Sequence, residues 1–396
     1  MPNLWSIEDT GRLMSPASII DSGQFQPTQV SVRITDNRNR VFECRKSLRL
    51  LTGRRMTCLA TSERKQFVVK IFPKRPRSLE EYDKEVRGYE LLADAHIDIP
   101  PRGYYGQADP DVKIIVNGYL SRWRSLSEVF AHAPFTRTSK SILNQLIMVV
   151  VNLHQNSLIH DDPHLDNFLS KGDKLVVLDA GAVHEVNNEK LLEENFGLFV
   201  AQFPLTWRLE QAWIDAYLAG MDRVDDTGLR QRLIEQIKAK QQWRERHVLK
   251  KIYRECSAFT VHSTIHGRMI IDRKYESDAF IERLSNPAML FDDGDVQYLK
   301  EGRSSTVGVI KIAGRHYVAK RYNIKNLLHK IKRISQESRA SKSWRNAHRL
   351  MLRGITTAKP IAMFECRKGR LNGVSVFVME YVEIVHCIFV ISLLGI

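Results

Sequence analysis

The chain has 396 residues, 43% of them hydrophobic, which is enough to bury the cores of roughly two or three domains and excludes a disordered tail. Its 60 Lys and Arg against 45 Asp and Glu leave a formal charge of +15, which attracts polyanions, whether nucleic acid, anionic lipid headgroups or phosphorylated sugars. Five cysteines, Cys44, Cys58, Cys256, Cys366 and Cys387, stand singly, which excludes a disulfide scaffold and a paired-cysteine zinc site and fits a reducing cytoplasm.

In chain order, the start MPNLWSIEDTGRLM has no basic stretch followed by an apolar run, so no secretory signal is expected. Residues 1–28 are polar and rich in turn formers and read as an extension. VSVRIT, RMTCLAT and QFVVKIF then alternate as strands do, predicting an antiparallel sheet up to Phe72. Leu79 to Ala95 carries apolar residues at helical spacing (Tyr82, Val86, Tyr89, Leu92) and stops before Pro100 and Pro101. Further helices are expected over Ser139 to His154, Leu191 to Gly220 and Gly228 to Cys256.

Near residue 297 the pattern returns to strands with YLKEG, TVGVIKIAG and HYVAKRY, followed by a basic helix from Ser341 to Arg353 and by VSVFVMEYV. This repeats the order of the first hundred or so residues: Leu92 precedes Ile97 as Leu350 precedes Ile355. The second copy is expected to be a truncated sheet-and-helix unit that leaves apolar surface exposed. The apolar end, Ile384 to Ile396, is too short to span a bilayer of about 30 Å as a helix.

The segment LIHDDPHLDNFLSKGDKLVVLDAGAV places His160, Asp162 and Asn167 at the H-x-D-x-x-x-x-N spacing of a phosphotransferase catalytic loop, with Asp179 after a strand. Phosphoryl transfer needs a carboxylate to orient and deprotonate an attacking hydroxyl, a role for Asp162, and oxygen ligands for Mg2+, a role for Asn167 and Asp179. Upstream, Lys70 in FVVKIF stands where a lysine contacts ATP phosphates, and Glu85 on the next helix is its expected partner. Taken singly, Lys70 reads as a solvated strand lysine, Glu85 as one helix charge among many, and HDDPHLDN as a helix cap, an Asx turn or a metal-binding turn. The order of all four features carries the specificity. His160 and His164 read as structural. A glycine-rich loop should precede Lys70, yet LLTGRRMTCLAT offers only Gly53.

On LTGRRMTCLA, VVKIF, HDDPHLDNFL and LDAGAV, the sequence resembles the Kdo/WaaP/InaA family of lipopolysaccharide kinases; LKEGRSSTVGVIKIAGRHYVAKRYNIKN and SKSWRNAHRLMLRGITTAKPIA resemble it again, with Lys320 in the place of Lys70. Asp161, Pro163 and Ala180 depart from the family pattern, and the counterpart of Glu85 in the second copy is Ser343. The resemblance implies an α+β, bilobal protein-kinase-like fold, with an antiparallel-sheet N-lobe and a helical C-lobe over 29–285. A second, truncated kinase-like N-lobe over 286–382 and an apolar tail over 383–396 complete the expected organisation. It implies ATP and Mg2+ as cofactors, a heptose or Kdo hydroxyl of the anionic lipopolysaccharide core as acceptor, and a cytoplasmic protein in peripheral contact with the inner membrane. No stable protein partner is inferred. The short stretch between Asp179 and LFVAQF, without A-P-E, counts against the alternative of a protein Ser/Thr/Tyr kinase. A non-catalytic pseudokinase is the other alternative. Nucleic acid is ranked last, because no basic-aromatic interleaving accompanies the charge.

Overall fold

The computed structural model describes residues 14–35, 38–132, 137–207, 209–265, 267–287, 289–291, 296–323, 337–368 and 371–383. Much of the 1–28 extension, the apolar Ile384 to Ile396 and the basic KNLLHKIKR stretch lie outside them. The fold is mixed α+β, built on antiparallel sheets.

Helix α1 (Pro16–Ser22) starts at Ser15, whose hydroxyl accepts the Ser18 N–H and so satisfies one of the unpaired donors of a helix start. Strands β1 (Thr28–Thr35), β2 (Arg38–Leu51), β3 (Arg55–Ser62) and β4 (Lys65–Pro73), helix α2 (Pro76–Asp94), and strands β5 (Arg102–Ala108) and β6 (Val112–Gly118) follow. The six strands pair in the order β1-β2-β3-β4-β6-β5. Ser31 and Asp109 exchange both backbone bonds, at 2.9 and 2.8 Å, which draws β1 toward the end of β5 and curls the sheet into a half-barrel.

Strand alternation then assigns the side chains of β3 and β4. Met56, Cys58 and Ala60 of β3 and Val69 and Ile71 of β4 point inward with Ile19 and Ile20 of α1. Their neighbours Arg55, Thr57, Val68 and Lys70 take the opposite face. A slip of one residue would bury Lys70 in the core, so the apolar pattern fixes where the lysine points.

After β7 (Arg124–Ser125) come α3 (Leu126–His132), α4 (Arg137–Gln155), β8 (Leu158–His160), β9 (Phe168–Lys171), β10 (Lys174–Val177), β11 (Val183–Glu185), α5 (Glu189–Val200), α6 (Glu210–Gly220) and α7 (Thr227–Lys251). β7, β9 and β10 form one small sheet, and β8 pairs with β11 in another.

The rest of the chain forms β12 (Phe259–Thr264), β13 (Gly267–Asp272), α8 (Asp278–Ser285), β14 (Gln297–Glu301), β15 (Ser305–Ile312), β16 (Arg315–Tyr322), α9 (Arg339–Leu352), β17 (Pro360–Lys368) and β18 (Leu371–Glu380). Their sheet runs β12-β13-β17-β18-β16-β15-β14. Within it, β14-β15-β16-β18-β17 repeats the order β2-β3-β4-β6-β5, and α9 occupies the chain position of α2. Both helices end alike: Ile97 N–H bonds Leu92 O and Ile355 N–H bonds Leu350 O, each at 2.9 Å, around a left-handed His96 or Gly354.

The chain divides into two compact units. One runs to Gln202 and includes Glu210–Ile237, and the other comprises Phe203–Leu209 and the chain from Lys238. Two features of the second unit differ from the sequence reading. Its sheet starts at Phe259, not near residue 297, so β12, β13 and α8, within the 29–285 segment, belong to it. Its apolar surface is also covered on both faces. Phe280, Leu284, Leu290 and Phe291 pack on one face, while Trp344, Ala340, Ala347 and Ile252 pack on the other. The short β12–β13 hairpin and α8 were not legible as part of this unit because their apolar runs are brief and interrupted by polar and charged residues.

Candidate active site

Lys70 leaves β4 on the face toward α2, whose buried stripe contains Ser78, Tyr82, Glu85 and Tyr89. A carboxylate in the middle of such a stripe is costly without a partner. Glu85 has two: Lys70 Nζ donates to its Oε1, and Arg55 Nη1 lies 3.6 Å from its Oε2. Lys70 also lies 3.9 Å from Asp179 Oδ1, so one ammonium stands between two carboxylates.

Asp179 is held by close packing of backbone. It takes a left-handed conformation (φ 54°, ψ 53°), which an aspartate tolerates better than most residues. The 3-10 turn that follows, Ala180–Ala182, lies against Gly88 of α2, where an added Cβ would stand 1.8 Å from Ala180 O. Gly88 therefore allows the Asp179 turn and the Glu85 helix to touch.

The H-x-D-x-x-x-x-N segment runs from the last residue of β8, His160, to the residue before β9, Asn167. His160 is fully buried; its Nδ1 accepts the Asp162 N–H at 3.2 Å, which leaves its Nε2–H to donate to Leu178 O at 3.3 Å. Burial holds this imidazole below its ordinary pKa, with the Leu178 carbonyl opposing. The bonds make His160 a structural tie. Asn195 Nδ2 donates to His160 O (2.8 Å), its Oδ1 meets His154 Nε2 (3.2 Å), and His154 Nδ1 meets Tyr217 OH (2.9 Å), a buried chain of polar groups beneath the loop. Asn167 ends a 3-10 turn, Leu165–Asn167, and its Nδ2 donates to Asp162 O at 2.8 Å. Leu178 N–H bonds Asn167 O at 2.8 Å, fixing the loop beside Asp179. His164 caps the 3-10 turn, accepting the Asp166 N–H, and is not bonded to Asp179.

A cleft of about 300 Å³ is lined by Lys70, Asn167 and Asp179 together with Arg49, Arg55, Thr57, Tyr89 and Asn117. Of the five residues singled out from sequence, three share this wall and Glu85 lies buried behind Lys70. Asp162 is exposed and outside the lining, linked to it through its own carbonyl and Asn167. The sequence reading missed Arg49 and Arg55. The available signal was strand parity: Arg49 pairs with Thr57 and Thr57 with Lys70, so all three share a face. Buried Tyr89 receives a bond from Asn117 Nδ2 (2.7 Å), and burial raises its phenol above the ordinary range.

Among the described residues no group of three or more His, Cys, Asp or Glu side chains could hold a metal alone. The hard oxygens of Asn167 and Asp179 nevertheless suit Mg2+, which typically takes one or two carboxylates and completes its shell from substrate phosphates. No known protein-family profile matches this chain, and no curated protein matches it.

Proposed function

We propose that this protein is an ATP-dependent phosphotransferase of bilobal protein-kinase-like fold, acting on a sugar hydroxyl, heptose or Kdo, of the lipopolysaccharide core. One observation carries the reading: Lys70, shared between Glu85 and Asp179, faces the same cleft as Asn167. In this reading β1–β6 with α2 form the N-lobe, the small sheets with α3–α6 and the start of α7 the C-lobe, and the second unit is a further N-lobe of the same strand order.

Lys70 holds ATP phosphates, and Glu85 fixes its ammonium. Asp162 orients the sugar hydroxyl and takes its proton as the oxygen–phosphorus bond forms and the bond to ADP breaks. Asn167 and Asp179 would hold Mg2+, which neutralises charge on the transferring phosphoryl group. Two observations support a small acceptor. β11 returns directly to pair with β8, and α5 starts at Glu189, which leaves little chain after Asp179 to dock a peptide. The +15 charge suits an anionic acceptor. Among the described residues no helix is long and apolar enough to cross a membrane. Contact with the inner membrane is therefore proposed as peripheral, with exposed Lys250 and Lys251 on α7 as candidate contacts.

The test incubates protein, ATP and Mg2+ with dephosphorylated lipopolysaccharide core and detects the phosphosugar by mass spectrometry. Wild type is expected to transfer, and Asp162→Ala to lose roughly 10²–10⁴-fold in rate, the range for a lost general base. Transfer to peptides and not to core would favour the protein-kinase alternative. A folded protein that transfers to neither sinks the enzymatic reading in favour of a pseudokinase.

A further inference from the structure

The two sheets repeat a row of residues as well as a strand order. In the first unit Arg49, Thr57 and Lys70 pair in register across three strands. In the second, Lys300 pairs with Val307 and Val307 with Lys320. Lys70 and Lys320 are each the sixth residue of their strand. Paired residues point to one face, and Val318, Tyr322 and Phe377, packed with Trp344, put that face under α9.

The second row keeps the cations and lacks counterparts of Glu85 and Asp179; Glu365, a buried carboxylate on the same face, is engaged by the Ser338 hydroxyl. At the place of Glu85 stands Ser343, whose hydroxyl is bonded to Tyr322 OH at 2.6 Å. Lys320 has no acidic partner among the described residues. Residues 324–336, which join β16 to α9, contain Lys325, Lys330, Lys332 and Arg333 and no Asp or Glu. The nearby Glu337 is engaged by Arg345 at 2.6 Å and by Tyr253.

A third cation joins the row. Arg339 sits at the start of α9 with its guanidinium 4.6 Å from the centre of the Tyr322 ring, held there by Ser304 O at 2.9 Å. The Lys320 ammonium lies 5.6 Å from the same ring. Burial first, then Arg339 and Lys300, lower the pKa of Lys320 from its ordinary value. Lys320 and Arg339 are half-buried and Lys300 is exposed beside them; these like charges repel each other, and a bound anion removes that repulsion and replaces the hydration lost by the first two.

We infer that the second unit binds a phosphate-bearing anion, without a metal ion, through Lys300, Lys320 and Arg339. The same chemistry fits a free pyrophosphate and a phosphomonoester headgroup.

The test titrates full-length protein with pyrophosphate in EDTA by calorimetry, and with phosphatidic-acid vesicles against phosphatidylcholine vesicles by flotation. Arg49, Arg55 and Lys70 can also take pyrophosphate, so the readout is the change on substitution in the second unit. Binding of one probe or both is expected to weaken at least tenfold in Lys320→Met and in Ser343→Glu. Lys311→Met, a charge-matched control on β15, should bind as wild type. Ser343→Glu supplies the missing carboxylate, so its melting temperature without anion should rise; if Lys320→Met fails to fold, this variant decides. Loss confined to the vesicle arm would assign the anion to a headgroup, and loss confined to pyrophosphate to a free phosphate. Wild-type binding of both probes by a folded Lys320→Met, or, where that variant does not fold, by Ser343→Glu, overturns the inference. Equal weakening by Lys311→Met does so as well.

Discussion

Glu85 is without exposed surface and shares its two oxygens between Lys70 and Arg55. Truncating it strands two partly buried cations, and breaking a buried pair from one side costs about 3–5 kcal/mol. Glu85→Ala should therefore lower the urea midpoint by that equivalent, while Lys70→Met, which leaves Glu85 beside Arg55, should cost less and still abolish transfer. Equal stability for Glu85→Ala and wild type would show that the pair is not formed in solution. The Lys70 and Glu85 pairing was legible because two periodicities, strand alternation and the helical stripe, each aim a charge at the same layer. Arg55 was not, because the doublet Arg54-Arg55 gives no sign of which guanidinium turns inward. Arg54 bonds Glu81 at 2.7 Å, and Arg55 reaches both Glu81 (3.7 Å) and Glu85.

At the scale of elements, the site depends on how closely α2 approaches the Asp179 turn. A Cβ at Gly88 would overlap Ala180 O, so Gly88→Ala must push the helix or the turn aside, at a typical overpacking cost of about 1–3 kcal/mol. The expected signature is a fall in kcat well beyond what the loss of stability explains, read by pairing thermal melts with transfer assays; unchanged kcat would show that the displacement spares the site. Helices α2, α4 and α7 were readable from spacing. Strand β2, with its run RNRVFECRKSLRLL, was not, because its register against β3 shifts twice and breaks the alternation.

For the whole molecule, burial keeps histidines neutral in both units, His154 and His160 buried in the first and His348 half-buried in the second. Burial depresses His154 in the first and His348 in the second to about 4 from the ordinary 6.5. A histidine with a depressed folded pKa binds its proton more readily when unfolded, so stability is intact above pH 6.5 and falls as pH drops toward 4. At pH 5 each should cost about 2 kcal/mol relative to pH 7, from the 1.36 kcal/mol carried by each pKa unit. Urea unfolding at the two pH values should show this loss, and His348→Phe should remove its own share; a midpoint unchanged between pH 7 and pH 5 would contradict the burial of both rings.

By itself, the sequence determined the face on which Lys70 stands, the loop spacing from His160 to Asn167, and the recurrence of one sheet-and-helix order, because local periodicity dictates direction and turn chemistry. Only the tertiary structure decided which partners those side chains meet: Arg55 at Glu85, Ala180 at Gly88, the row of Lys300 and Lys320 under α9, and the β12–β13 hairpin beside β17. The physical reason is that period fixes the side from which a residue projects, whereas a partner distant in the chain is fixed by register and packing, which no short window contains.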